Sequence, residues 1–225
     1  MGFDSLTVYP EAYGGSYTCC GQVRQTGTAL SWATIIAAAG NYATTDIGIQ
    51  RIIDITGDGE GYKQLTRSIF TFDTSSLTSS ANISAATMSI YGSTKADGLS
   101  ITPNINIYSS NPAANNTLEN GDFDSLGSTA FSTAISYSSW ANGSYNDFSL
   151  NSDGKSAISK TSITKLGARN ASYDASGTDP GDYSNAVSLL NGAFSGVAGT
   201  GSDPKLVITY TIVATTNAMF FGCNF

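Results

Sequence analysis

The chain has 225 residues, with 17 acidic against 10 basic side chains, a formal net charge of −7 and no histidine. Lack of histidine excludes a Ser-His-Asp or Cys-His nucleophile system and a His-ligated zinc or haem iron. The acidic field disfavours binding to nucleic acid, and no apolar run reaches the roughly 18 residues of a membrane-crossing helix, so neither partner is expected.

Along the chain, Met1–Gly15 (MGFDSLTVYPEAYGG) carries neither the basic region nor the apolar run of a secretory signal, which points to synthesis in a host cytoplasm. Short apolar stretches at Leu6–Tyr9, Ala29–Ile36 and Ile47–Asp54 read as strand candidates. In Arg67–Asp73, Phe70 and Phe72 alternate with Ile69 and Thr71, so the two pairs point to opposite faces. Ile83–Tyr91 places Ala86, Met88 and Ile90 on one face, and Ile101, Ile105 and Ile107 line the next strand before Asn111-Pro112 ends it. Asp147–Leu150 is a further short strand. Ser156–Gly167 is open to helix or strand, with Ala157, Ile158, Ile163 and Leu166 apolar and Gly167 placed to stop a helix. Ser184–Leu190 is a second short helical candidate. Lys205–Ile212 alternates most cleanly, with Leu206, Ile208, Tyr210 and Ile212 on one side.

Abundant Gly, Ser, Thr and Asn, with 12 Tyr and 10 Phe, suit short strands joined by tight turns. The expected fold is all-β: a jelly-roll-like antiparallel β-sandwich with at most one or two short helices. Residues 1–212 are expected to form a single domain, with Phe70, Phe72, Met88, Ile90, Ile105, Ile107, Leu206, Ile208 and Tyr210 in its core. Residues 213–225 (VATTNAMFFGCNF) carry no charge and concentrate Met219, Phe220, Phe221 and Phe225, so they read as an apolar tail that docks on another subunit.

Asp54–Gly61 partly resembles a calcium loop, with Asp54, Thr56 and Asp58 at alternate positions, but its twelfth position is Leu65 and not the required glutamate. Asp174–Asp182 and Asn120–Asp124 are also oxygen-rich, and all three read best as acidic turns, so no metal or other cofactor is expected. A glycosidase would need two facing carboxylates, and no acid/base motif surrounds those present. Trp32, Trp140, Tyr145 and Tyr183 are candidates for stacking on sugars, although aromatics in a sandwich more often fill the core. Cys19 and Cys20 are adjacent and cannot easily bridge each other; Cys223 is open to pairing with one of them or with a neighbouring subunit, and reduced, buried thiols are the default for a protein made in cytosol. The Asn-x-Ser/Thr triplets at Asn82, Asn115, Asn142 and Asn170 are unremarkable in so Asn/Ser-rich a chain.

Three segments together resemble a known family. They are Arg67-Ser-Ile-Phe-Thr-Phe-Asp-Thr-Ser-Ser-Leu77, Ile83-Ser-Ala-Ala-Thr-Met-Ser-Ile-Tyr91 and Asp203-Pro-Lys-Leu-Val-Ile-Thr-Tyr210. Their order is similar to that of the disaggregatase-related (DNRLRE-type) β-sandwich modules, and the chain to about Thr211 also resembles structural proteins of tailed phages. The resemblance implies a jelly-roll sandwich with a role in surface attachment or glycan binding, and carries no catalytic residue. Elementary chemistry accounts for the shared positions as well: Asp73-Thr-Ser-Ser suits an Asx turn, Arg67 suits pairing with a carboxylate, and Pro204 suits a strand start.

The expected function is therefore non-enzymatic: a structural or decoration protein on a bacteriophage virion, at capsid or tail. It would be held by other virion proteins and by copies of itself as a homo-oligomer. The alternative is a glycan-binding adhesin module recognising a host-surface glycan.

Overall fold

A computed structural model describes residues 3–12, 15–45, 48–196 and 199–212. Among them lie eleven strands: β1 (Asp4–Val8), β2 (Cys20–Leu30), β3 (Tyr42–Thr45), β4 (Ile49–Gly57), β5 (Tyr62–Asp73), β6 (Ala81–Asp97), β7 (Ile105–Ser109), β8 (Tyr145–Ser149), β9 (Ile163–Asn170), β10 (Val187–Ala193) and β11 (Lys205–Ile212). Among the described residues, helices are confined to five-residue α1 (Trp32–Ile36) and α2 (Ser152–Ser156) and two short 3-10 turns. The protein is an all-β antiparallel sandwich.

Hydrogen bonds run through the order β1-β11-β6-β10-β4-β5-β2-β3, with β8 beside β6, and with β9 joining β5 to β7. Strand β6 is long enough to serve both layers. Its first part pairs with β11 and β8, and its last part, from Gly92, pairs with β10. A Cβ on Gly92 would stand 2.9 Å from Trp140 Nε1, so glycine lets the chain pass from one layer to the other close against that indole.

Alternation along β5 explains two cores. Phe70 and Phe72 project between the layers, where they meet Met88, Ile90, Leu206 and Ile208. Leu65 and Ile69 project to the opposite face, which α1 and the intervening loops cover with Trp32, Ile35, Leu118 and Phe123. β5 is thus buried on both faces over most of its length. Eight of the nine expected core residues are fully buried, whereas Tyr210 packs against the core from a half-buried position.

One local expectation is corrected, and two segments left open between helix and strand are resolved. Ala29–Ile36 is not a strand: β2 ends at Leu30, and Ser31 caps α1 by accepting from the Thr34 N–H at 3.2 Å. Ser156–Gly167 is not a helix. Helix α2 stops at Ser156, and Ile163–Asn170 is strand β9, held by β5 on one side and β7 on the other. Gly167 therefore stops no helix; it allows Leu126 to lie against the strand where a Cβ would clash. Ser184–Leu190 gives way to strand β10, which pairs with both β4 and β6. Short apolar runs carry no period that separates helix from buried strand; the Ser31 cap decided the first, and sheet neighbours the other two. The tail residues Met219, Phe220, Phe221 and Phe225, and Cys223, lie outside the described residues.

Candidate functional site

The four aromatic candidates separate in the fold. Trp140 is buried in the inter-layer core and offers no face to a ligand. Tyr145 lies on β8, packed edge-on to Tyr91 at 5.4 Å, with Lys205 Nζ 4.0 Å over its ring. Its hydroxyl donates to the Asp203 carbonyl at 2.9 Å, and burial raises its pKa. Trp32 and Tyr183, by contrast, meet at one cleft of about 240 Å³, walled also by Leu30, Glu60 and Asp179.

Local chemistry builds this cleft. Asp58, in the acidic Asp54–Gly61 stretch, folds its carboxylate onto backbone donors: Ala29 N–H at 2.6 Å, Gly61 N–H at 3.0 Å and Glu60 N–H at 3.3 Å. The Ala29 contact leads in holding its pKa below the ordinary carboxylate value. Ala29 is itself held at φ 49°, in the left-handed region that disfavours side chains. Asp58 is thus a structural clamp that ties β2 to the β4–β5 turn, with its carboxylate oxygens spent on amides. Among the described residues, no group of three or more Cys, Asp or Glu is placed to hold a metal.

Tyr62, at the start of β5, connects the aromatics. Its ring lies 4.9 Å from Trp32 and 5.2 Å from Tyr183, both edge-on. Its hydroxyl donates to Asp179 Oδ1 at 2.5 Å, and Tyr183 donates to Asp179 Oδ2 at 3.3 Å. Burial, then the Asp179 carboxylate, drive the Tyr62 pKa far upward, while Asp179 leads in raising that of Tyr183. The Gly181 N–H completes the acceptor set of Asp179 at 2.9 Å. Both carboxylate oxygens therefore accept from phenol or amide donors, an arrangement that positions the two rings. Tyr183 is 40% exposed, and the Trp32 Nε1 donor is buried without a hydrogen-bond partner.

Sequence reading picked out Trp32 and Tyr183 but missed Tyr62 and Asp179. Both acidic, glycine-rich stretches were visible. Their meeting depends on backbone bonds that no spacing reveals: Gly57 N–H to the Ala186 carbonyl at 3.0 Å and Gly59 N–H to the Tyr183 carbonyl at 2.6 Å. In comparisons with protein-family models and with curated proteins, nothing matches the chain.

Proposed function

We propose that this protein is a non-enzymatic structural component displayed on the surface of a phage particle, on capsid or tail, and held there by protein–protein contacts. The observation that carries this reading is the sequence of residues 213–225. It follows the last described strand directly, lacks any charge and holds four large apolar side chains. Strand β11 ends at Ile212, which is 43% exposed. Each anchor buried in a neighbouring subunit contributes roughly 1.5–3 kcal/mol before ordering costs, enough in sum to hold a subunit in place. The test is mass spectrometry of purified virions of the phage that encodes the chain. Its peptides are expected at a level comparable with known capsid or tail subunits, and their absence would overturn the reading.

The cleft favours a second reading, a glycan-binding module. Exposed Tyr183 supplies a stacking face in a cleft that Glu60 and Asp179 also line, an aromatic face beside polar groups of the kind a sugar ring uses. Replacing Tyr183→Ala is expected to weaken binding to an immobilised glycan about tenfold. Unchanged binding would count against this use of the cleft.

A further inference from the structure

The hydrogen-bonded order of strands runs from β1 to β3, and its two edges differ. At β3 the Arg24 guanidinium lies 3.7 Å from the centroid of the Tyr42 ring, and the loop N–H of Leu118 donates to Thr45 Oγ1 at 3.1 Å. A cation and a covering loop are among the devices that keep an edge from pairing with another chain. β1 carries no basic residue, no proline and no bulge: its sequence is DSLTV, and its register with β11 runs unbroken from Asp4↔Tyr210 to Val8↔Leu206. Among the described residues, its backbone hydrogen-bonds to β11 alone, so its other edge is open.

The core is open along the same edge. Leu206 and Ile208 on β11 are fully buried, whereas Val8 and Leu6, opposite them on β1, pack on that core from half-buried positions. Phe3, immediately before β1, is 70% exposed, and Ile212 at the adjoining end of β11 is 43% exposed. Large apolar side chains gathered at an open sheet edge mark an interaction site.

We propose that β1 pairs antiparallel with β1 of a second copy of this chain, joining two sandwiches through one continuous sheet about a two-fold axis at Leu6. The strand is self-complementary in that register. Leu6 lies opposite its own copy. Asp4 lies opposite Val8, so the like charges of the two Asp4 side chains stand apart. Ser5 lies opposite Thr7, and Phe3 opposite Tyr9, which places an aromatic pair at each end of the contact. Pro10, which has no N–H, closes the pairing after Tyr9. The added strand covers Leu6 and Val8 and completes the core at this edge. A segment following Ile212 in the same copy would have to cross the start of β1 and, turning back directly, run parallel to it, the less stable pairing. The pairing gives the expected self-association a surface, and it does not depend on display on a virion.

The test is analytical ultracentrifugation of the full chain over a series of concentrations, where the parent is expected to form dimers. Ser5 and Thr7 are exposed, and their β11 neighbours Thr209 and Val207 are uncharged, so new charges at these positions leave the fold intact. In Ser5→Lys/Thr7→Lys each lysine faces another across the two-fold axis. Self-association is expected to weaken about tenfold or more, with the melting temperature of the monomer unchanged. Ser5→Glu/Thr7→Glu is expected to do the same, and mixing the two variants to restore a dimer holding one copy of each. A parent that stays monomeric, dimers that survive both double substitutions, or a mixture that does not pair would overturn the proposal. Residues 1–212 are expected to dimerise as the parent does, whatever their removal from the tail does to attachment to particles. Loss of the dimer in that shortened chain would hand the edge to residues 213–225 and overturn the proposal equally.

Discussion

Asp174 shows most clearly what single residues contribute. Arg67 reaches it through Nε at 2.9 Å and Nη2 at 2.6 Å, and Arg169 reaches the same carboxylate through Nε at 2.9 Å and Nη2 at 2.8 Å. The remaining donors are also placed: Arg67 Nη1 on the Phe123 carbonyl at 2.6 Å and Arg169 Nη1 on the Gly127 carbonyl at 2.8 Å. Burial alone would push the Asp174 carboxyl upward, but the two guanidiniums outweigh it and hold its pKa below the ordinary 3.8. A depressed carboxylate stabilises the fold above its unfolded pKa, and that contribution disappears as pH falls through the folded value. Replacing Asp174→Asn leaves two buried guanidiniums short of charge. It is expected to cost about 3–5 kcal/mol near neutral pH, with the gap to the parent narrowing below the ordinary carboxylate pKa. Urea unfolding of both proteins from neutral to acid pH checks this, and equal midpoints at neutral pH would contradict it.

At the scale of elements, legibility followed the physics of each strand. β11 was read with its bounds intact because Leu206, Ile208 and Tyr210 alternate with Val207, Thr209 and Thr211. The Asx turn after β5 was legible too, and the Asp73 carboxylate accepts from the Ser75 N–H at 3.0 Å. Arg67 was expected to pair with a carboxylate; that the partner would be Asp174, 107 positions away, was not readable. β2 escaped notice because one of its faces is polar, so Cys20, Gln22, Arg24 and Thr26 show no apolar stripe. β9 was ambiguous because neighbours cover both its faces and remove the alternation. The candidate cleft was half legible for a related reason. Its two aromatics stood out by residue type, whereas Tyr62 and Asp179, 117 positions apart, join only through the fold.

The whole molecule is a sandwich with a second apolar layer beneath one sheet, so β5 is anchored from both sides. In the proposed account the body presents a surface and the following residues attach it. Removing residues 213–225 separates these roles. Co-sedimentation of the full chain and of residues 1–212 with purified particles, alongside the melting temperature of each, is the most direct measurement. The account predicts that the shortened protein melts at the parent temperature yet no longer sediments with particles. A shortened protein that still binds them with unchanged affinity would contradict it, and so would one whose melting temperature falls by several degrees because the segment was part of its own core.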